Sequence, residues 1–323
     1  MNPANELDEG LKKGTKTNLP EPIYYVSGEW VPRSQANISI FDSGLLFGDT
    51  ITEAIRTFER VPYEQDRHLE RFVRSARLAR IAVAELPNMK ALIAEMLEKN
   101  WELVTNAGEV FIRLEATRGI LNAYREKGKV YQDSTTILWF HDIPFHKLLE
   151  KYELGMAVAY PAARQIPNDV LDPRIKHRSR MYRTLADMEA ADIDPGAVAL
   201  LLDPRGRIAE GVGWNIFVVH GQRVATPSSD VCLEGISRAI VLELCADLGL
   251  EPWVGSLWPY DVASADEVFA TASSYCIAPI TRVHGKAVGN GRPGEITKAL
   301  LEAWSRRVGL DIPRQAREYS ARM

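Results

Sequence analysis

Apolar residues in the first half of the chain follow two patterns, the spacing of an amphipathic helix and the alternation of a strand. Apolar residues spaced by three and four positions predict an amphipathic helix over 66–81, and a second helix is expected over 88–101. Short alternating stretches predict strands, including a hairpin over 23–32 that turns at Ser27-Gly28. The other strands expected here are residues 38–41, 51–58, 109–116 and 135–140. Together these elements predict a small α+β domain.

The pattern breaks between Asp142 and Tyr152, around Pro144, and we place an interdomain linker there. Beyond it, strands are expected over 155–160, 197–202, 215–219, 223–226 and 267–271, and helices over 182–190, 237–248 and 293–308. A chain of 323 residues exceeds one average domain, so two domains are expected. The predicted divisions are an arm over 1–21, a small α/β domain over 22–141, the linker over 142–154, a large domain over 155–312 and a tail over 313–323.

Composition narrows the class of protein. Hydrophobic residues make up 46% of the chain and charged residues 25%, as in a soluble globular protein with an ample core. A formal charge of −4 gives no electrostatic reason to expect nucleic acid or an anionic membrane as a partner. Cys232, Cys245 and Cys276 are odd in number and lack metal-ligand spacing, so we expect free thiols and no metal site. No apolar run is long enough to span a membrane, and a cytoplasmic location is the default expectation.

Lys176 is the candidate for covalent chemistry. It follows an extended segment that contains Pro173 and precedes a stretch of helical spacing. Desolvation and neighbouring cations lower the pKa of a lysine and make its amine a nucleophile toward carbonyl groups. Arg174, Arg178 and Arg180 supply such cations. Alone, such a stretch is more often a solvated basic segment at the start of a helix, so the case depends on a second segment.

That second segment begins with Glu210, and it continues with two glycines, Gly211 and Gly213, and then a predicted strand. Glycines at this spacing predict a tight turn, where a flat ligand can approach the backbone closely. If Lys176 holds pyridoxal phosphate as an imine, Glu210 is the partner expected at the pyridine nitrogen. An acid there keeps the nitrogen protonated, so that the ring can accept the electrons of a carbanion.

Seven segments occur in an order that resembles the fold-type IV pyridoxal-phosphate enzymes, the aminotransferase class IV family. They are residues 38–49, 68–72 (His-Leu-Glu-Arg-Phe), 117–119 (Thr-Arg-Gly), Lys176, Glu210-Gly211, 233–238 (Leu-Glu-Gly-Ile-Ser-Arg) and 266–274. The resemblance covers about 24–310. The family includes branched-chain amino acid aminotransferases, D-amino acid aminotransferases, (R)-selective amine transaminases and aminodeoxychorismate lyases. It implies a two-domain α+β fold whose larger C-terminal domain has a β-barrel-like core flanked by helices.

The resemblance also implies a site for pyridoxal 5'-phosphate, joined to Lys176 as a Schiff base. Arg71 is expected to clamp the phosphate, because a guanidinium fork suits that dianion. Further contacts are implied for the helix start at Gly235, Ile236 and Ser237, for Ser273 with Ser274, and for Leu233 against the ring. Taken alone, Gly235 to Ser237 also fits a simple N-cap, Arg71 a surface charge and Leu233 a core residue.

Two departures from the family pattern concern the ring and the substrate. Branched-chain enzymes often carry Asn and Tyr four and five positions after the lysine, and the Tyr contacts the cofactor's phenolic oxygen. Here those positions are Arg180 and Met181, so Tyr182, Arg180 or neither takes that contact. In the early motif, Thr52 stands where an aromatic residue is common, and Phe47 replaces the histidine of the (R)-amine enzymes.

Four arginines compete as anchors for a substrate carboxylate. Arg56 and Arg113 stand where branched-chain enzymes place basic residues, and Arg118 and Arg125 lie on a loop that could cover the site. As bare arginines, each also fits a surface or structural charge. The Arg-x-His of the D-amino acid enzymes is replaced by 122–124 (Asn-Ala-Tyr), which argues against their carboxylate trap.

The resemblance implies a ping-pong transamination that moves an amino group from an amino acid or primary amine to a 2-keto acid. Lys176 would act as general base on the substrate carbon. A pyridoxal-phosphate lyase of the aminodeoxychorismate type and a catalytically silent pyridoxal-phosphate-binding protein are the alternatives. A homodimer is also implied, with its active site near the subunit interface and the loops around Phe47 or Asn122 serving the neighbouring site.

Overall fold

The computed structural model describes residues 20–104 and 108–320. The arm predicted over 1–21 therefore lies outside the described residues, except for Pro20 and Glu21, and so does the end of the predicted tail. Within the described ranges, no helix is both long and apolar enough to cross a membrane.

The first half folds into a six-stranded antiparallel sheet in the order β2-β1-β6-β5-β3-β4. Its strands are β1 Ile23–Val26, β2 Glu29–Pro32, β3 Thr50–Phe58, β4 Val61–Pro62, β5 Val110–Thr117 and β6 Thr135–Asp142. Helices α2 Gln65–Ala79 and α3 Met89–Asn100 cover one face. Alternation along β3 turns Ile51 and Ile55 toward Phe72 in this core. The hairpin, the two helices and three strands predicted here are thereby confirmed.

The strand predicted over 38–41 is wrong, because that segment has no partner strand. Ile38 and Ile40 are 40% and 67% exposed. The short helix α1 Ser43–Phe47 follows instead, and the side chain of Asp42 caps it by accepting from Gly44 N at 2.8 Å. Sequence periodicity alone does not show that a β-type stretch lacks a neighbour to pair with.

The second half contains a nine-stranded sheet in the order β12-β11-β10-β13-β14-β7-β8-β9, and β15 pairs with β14. Its strands are β7 Met156–Ala159, β8 Val198–Leu202, β9 Ile208–Gly211, β10 Asn215–His220, β11 Arg223–Pro227, β12 Glu251–Gly255, β13 Glu267–Ala272, β14 Cys276–Val283 and β15 Lys286–Ala287. The sheet curls, so that β9 at one end of the order approaches β10, where Gly211 bridges to Trp214. This is the barrel-like core that the resemblance implies.

Helices pack around this curled sheet. They are α4 Phe145–Leu154, α5 Met181–Ile193, α6 Ile236–Asp247, α7 Pro259–Ala263, α8 Glu295–Val308 and α9 Ile312–Ser320. The core between them includes Trp304 of α8 and the stacked rings of Phe217 and Phe269, whose centroids are 5.0 Å apart. The predicted helices at α5, α6 and α8 are confirmed.

Two segments predicted to be irregular are helical. The predicted linker contains α4, with Pro144 at its N-cap and Phe145 buried in the second core. A proline before the first turn costs no helical hydrogen bond, so it starts this helix and does not break it. The predicted tail contains most of α9, whose Ile312 and Ala316 are buried. The domain boundaries themselves remain a prediction.

Candidate active site

A cavity opens where the segment over 173–183 passes between α2, the turn after β9 and the start of α6. It contains about 540 Å³ of space not filled by protein atoms, a volume that includes solvent at its open mouth. Its lining includes Arg71, Lys176, His177, Arg180, Arg183, Glu210, Trp214, Asn215, Leu233, Gly235, Ile236, Ser237, Thr271 and Ser273. Four of the lining residues are arginine or lysine and one is glutamate, so the cavity suits an anionic ligand.

The backbone of Lys176 is held by both the first sheet and α2. Thr52 N donates to Lys176 O at 2.8 Å, and Arg178 N donates to Thr50 O at 2.8 Å. Lys176 N in turn donates to Ser75 Oγ at 3.1 Å. Because β4 pairs only with the far end of β3, the near edge of β3 is free to accept this segment. The lysine is thus mounted on regular structure although it lies in a loop.

The amine of Lys176 has the pKa of a nucleophile. Burial and the charges of Arg71, Arg180 and Arg113 together lower its pKa to about 7, against the opposing effect of Glu53. About half of the amine is then neutral at pH 7, compared with roughly one lysine in three thousand at an ordinary pKa. Of the three arginines predicted to lower this pKa, Arg180 contributes, whereas Arg174 and Arg178 pair with Asp172 and Glu115.

Arg71 is fixed by a buried carboxylate behind it. Its Nε and Nη2 donate to Glu53 Oε2 and Oε1 at 2.9 and 2.7 Å, and its Nη1 donates to Glu234 O at 3.1 Å. His68 Nδ1 lies 3.0 Å from Glu53 Oε1. Burial acts to raise the pKa of Glu53, but Arg71 and His68 outweigh it and hold that pKa below its usual range. The carboxylate is therefore ionised and aims the guanidinium into the cavity.

Glu210 lies near the end of β9, just before the tight turn on which the sequence placed it. Its Oε1 accepts from Arg183 Nη2 at 2.6 Å and its Oε2 accepts from Leu233 N at 3.0 Å. Burial acts to lower the pKa of Arg183, but Glu210 and Tyr182 outweigh it and raise that pKa. Glu210 is therefore fixed by Arg183 and Leu233 in the lining of the same cavity as Arg71.

The start of α6 forms a close-fitting cradle. Gly235 is the N-cap of this twelve-residue helix, and Ser237 lies in its first turn. A Cβ at position 235 would lie 2.1 Å from Asn215 Oδ1, so only glycine fits. Asn215 Nδ2 donates to Leu233 O at 2.9 Å and holds the loop that leads into the helix. Free amide groups at such a helix start bind phosphate.

These groups together fit pyridoxal 5'-phosphate. Arg71 and the α6 cradle would hold the phosphate, Lys176 would meet the aldehyde and Glu210 would face the ring nitrogen. Leu233, Ile236, Ser237 and Ser273, which the resemblance implied, line the same cavity. A site that has cationic groups for the phosphate, an acid for the ring nitrogen and a lysine for the aldehyde is typical of a pyridoxal-phosphate enzyme.

Other predicted site residues lie outside the cavity lining. Tyr182 OH accepts from Arg183 Nε at 2.7 Å and donates to Gln165 Oε1 at 3.3 Å. Its hydroxyl group therefore bonds to the two residues that donate to Glu210. Ser274 contributes its carbonyl oxygen to Arg56 Nη1 at 2.9 Å.

Three of the four candidate substrate arginines are engaged with protein groups. Arg56 is 2% exposed and also donates to Gln315 Oε1 at 3.2 Å. Arg118 pairs with Asp49 at 2.6 Å and caps the end of α2, and Arg125 Nε donates to Ile120 O at 2.8 Å within its own loop.

The remaining candidates do not line the cavity, although Arg113 and Thr52 lie near Lys176. The charge of Arg113 on β5 acts on Lys176; its buried Nε has no hydrogen-bond partner within the described residues, and its Nη2 pairs with Glu115 Oε1 at 3.9 Å. Thr52 is fully buried and its Oγ1 is also unpartnered there. Phe47 is 68% exposed at the end of α1.

Sequence reasoning missed Glu53, Arg183 and Asn215 as parts of the site. The sequence contained a signal for Glu53: His68 and Arg71 are three residues apart, so they lie on one face of α2, where a single carboxylate can bind both. No comparable signal existed for Arg183, whose partner lies 27 residues away on another element.

Comparison with known proteins identifies the family. Residues 50–283 match the model of amino-transferase class IV. A putative branched-chain-amino-acid aminotransferase of Methanocaldococcus jannaschii is 32% identical over 281 residues, which are 86% of this chain and 93% of that protein. An aminodeoxychorismate lyase of Bacillus subtilis is 30% identical over 86% of this chain and 92% of its own. The solved branched-chain amino acid aminotransferase of Escherichia coli superposes with a TM-score of 0.77 at 23% identity, covering 88% of this chain and 93% of that one, and so shares the fold.

The chain therefore belongs to the amino-transferase class IV family. Aminotransferases of this class use pyridoxal 5'-phosphate, and the protein is an enzyme of this class with a fold-type IV architecture like that of the branched-chain enzymes. The predicted fold class, cofactor and enzyme class are confirmed. The roles of the individual residues stay predictions.

Proposed function

We propose that amino transfer between an amino acid and a 2-keto acid takes place in the cavity around Lys176, in a branched-chain-aminotransferase-like enzyme. One observation carries this proposal. Lys176, whose pKa is about 7, lines the same cationic cavity as Glu210, a buried acid that pairs with Arg183.

The residues divide the work by their chemistry. Bound pyridoxal 5'-phosphate supplies an aldehyde for the amino group and a ring that accepts electrons released at the substrate carbon. Lys176, once free, takes the proton from that carbon, and its pKa allows it to return the proton near neutral pH. Arg71 and the amides of Ile236 and Ser237 hold the phosphate beside Gly235, whose own N–H donates to Leu233 O at 2.9 Å. Glu210 places negative charge at the ring nitrogen, and Arg183 keeps that carboxylate in position.

Arg113 is the strongest of the four substrate arginines retained from the sequence. It is partly buried, and its charge acts on Lys176. Its Nε has no hydrogen-bond partner among the described residues and its Nη2 has only a long ion pair with Glu115 at 3.9 Å, whereas the other three guanidinium groups each donate hydrogen bonds. Thr52 and Phe47 complete the proposed substrate region, because both flank the segment that holds Lys176.

A homodimer is part of the proposal. Residues 40–47 expose five large apolar side chains, which we call the 40–47 surface: Ile40, Phe41, Leu45, Leu46 and Phe47, with exposures between 41% and 68%. A contiguous apolar patch of this kind favours a protein partner. Ser179 Oγ donates to Gly48 O at 2.7 Å and connects this surface to the lysine segment, so a second copy would lie close to the active site.

A cytoplasmic location is proposed on the thiols, since all three cysteines are buried and free.

A lyase of the aminodeoxychorismate type is the second candidate, because a relative of that name covers 86% of this chain at 30% identity. Steady-state kinetics distinguish the two functions. A transaminase requires both an amino donor and a keto acid, and double-reciprocal plots give parallel lines. A lyase forms product from its substrate without any acceptor, and that result with no amino transfer would overturn the proposal.

A further inference from the structure

Arg180 is the arginine of the cavity whose charge has no carboxylate partner within the described part of the chain. It lines the cavity at the N-cap of α5, and its Nε donates to His177 O at 3.2 Å. Among residues 20–104 and 108–320, no carboxylate forms an ion pair with it. The other two arginines of the lining differ, because Arg71 and Arg183 each hold a buried glutamate. The terminal nitrogens of Arg180 are therefore available to a ligand.

The surroundings of Arg180 disfavour the positive charge of its guanidinium group. Burial lowers the pKa of Arg180, and the charges of Arg183 and Arg113 lower it further. Arg113 adds a buried Nε without a hydrogen-bond partner among the described residues in the same neighbourhood. Two carboxylates offset these charges in part, since Glu115 Oε1 lies 3.9 Å from Arg113 Nη2 and Glu210 opposes the lowering of the Arg180 pKa. An anion bound to Arg180 would stabilise the pair of guanidinium groups further.

The phosphate of the cofactor has other partners in the site. Arg71 and the start of α6 are assigned to the phosphate, and they lie in the same lining as Lys176. We propose that Arg180 binds the carboxylate of the substrate and so selects amino acids over simple primary amines. This inference rests on the proposed function and narrows the donor class that the sequence left open.

The chemistry of the two groups supports this assignment. A guanidinium binds a carboxylate through two parallel hydrogen bonds, which fixes orientation as well as position. Arg180 is near enough to Lys176 for its charge to act on that amine. An α-amino acid carries its carboxylate on the same carbon that loses the proton. One cavity can therefore hold the carboxylate at Arg180 and present that carbon to Lys176.

Binding of an unreactive acid tests the assignment without turnover. Titration calorimetry of the cofactor-loaded enzyme would use 4-methylvaleric acid, which lacks an amino group. Arg180→Gln should weaken its binding by about tenfold to a hundredfold, the effect of losing a charge-assisted pair. Arg180→Lys keeps the positive charge and controls for loss of folding in Arg180→Gln; it should give an intermediate Kd. Arg174→Gln is the control, because Arg174 is exposed and pairs with Asp172. Unchanged binding in Arg180→Gln would overturn the inference.

Kinetics with matched donors provide a second readout. Arg180→Gln should lower kcat/KM for leucine by about tenfold to a hundredfold more than kcat/KM for 3-methylbutylamine, the same molecule without its carboxylate. Any effect of the lost charge on Lys176 is common to both donors and cancels in this ratio. Equal losses for both donors would show that Arg180 does not read the carboxylate.

The cofactor's phenolic oxygen is the other anion that Arg180 could meet. In that case, Arg180→Gln would change the pH dependence of the loaded enzyme's visible absorbance and leave the Kd of the acid unchanged, which would overturn the inference. Failure of the proposed function gives a different result. The wild type would then transfer no amino group with any donor, while its binding of 4-methylvaleric acid would still depend on Arg180.

Discussion

At Lys176, burial and nearby arginines bring the pKa of the amine to about 7. The neutral amine is the nucleophile, so its fraction falls as the pH drops below the pKa and is nearly constant above it. We predict that the rate at which the apoprotein captures pyridoxal phosphate rises about tenfold per pH unit below pH 7 and levels off above about pH 8. Stopped-flow absorbance between pH 5.5 and 9.5 measures this rate. A rate that still climbs tenfold per unit at pH 9 would show an ordinary lysine.

Glu53 lies behind Arg71 and positions it through two hydrogen bonds. Glu53→Gln keeps the shape but removes the charge that aims the guanidinium. We predict that the Kd of pyridoxal phosphate rises by about tenfold to a hundredfold, as expected for a lost charge-assisted pair. Equilibrium dialysis measures the Kd.

The matched control for Glu53 is Asp66→Asn. Asp66 lies in the first turn of α2, and its ion pair with Lys90 is exposed. This change should leave the Kd within about twofold. Equal effects of the two variants would contradict a positioning role for Glu53.

How far single residues could be predicted depends on where their partners lie. Lys176, Arg71 and Ser237 sit within short segments whose resemblance to the motifs of the family implies their chemistry. Glu53 and Arg183 act through contacts with other elements, and those contacts exist only in the folded chain. Arg56 shows the reverse case, since its position suggested a substrate residue and the structure gives it a set of buried protein partners.

At the level of elements, α9 is joined to the first sheet by a buried polar chain. Gln315 Oε1 accepts from Arg56 Nη2 at 3.2 Å, and Gln315 Nε2 donates to Glu109 Oε1 at 3.1 Å. Gln315→Leu leaves both charged groups short of a partner. We predict a loss of roughly 2–3 kcal/mol in the free energy of unfolding, measured by urea denaturation.

Glu318→Gln on the same helix is the control, because its ion pair with Arg314 is exposed. It should change stability by less than about 0.5 kcal/mol. If Gln315→Leu had an equally small effect, the polar chain would not be what holds α9 against the first sheet.

Strands β12 and β14 were not predicted from the sequence, and both were missed for the same physical reason. β12 contains Pro252 and β14 contains Pro279, and proline argues against a strand because it lacks an N–H group. β12 is an edge strand, where a proline is tolerated, and the pairing of β14 with β7 begins only at Ile280. The position of a strand within its sheet decides whether a proline fits, and that position is not local information.

At the level of the whole molecule, the 40–47 surface is the feature that most needs a partner. Leu45→Asp combined with Phe47→Asp places two charges in it and should prevent association. The wild type is expected to sediment at twice the chain mass of 36.2 kDa and the double variant at the single mass. Analytical ultracentrifugation at micromolar concentration measures both.

Tyr260→Asp tests whether any exposed apolar site gives this effect. Tyr260 on α7 is 78% exposed and far in sequence from the 40–47 surface, so this variant should remain a dimer. A double variant that still sediments as a dimer would place the interface elsewhere.

The central claim is that Lys176 moves a proton at the substrate carbon in an amino-transfer reaction, and the isolated half-reaction tests it most directly. The loaded enzyme is mixed with leucine alone, and its absorbance and the keto acid released are measured. We predict loss of the visible band, one keto acid per active site, recovery of the band with 2-oxoglutarate, and no keto acid from Lys176→Ala. Full turnover by Lys176→Ala, or a wild-type band that no amino acid changes, would contradict the account.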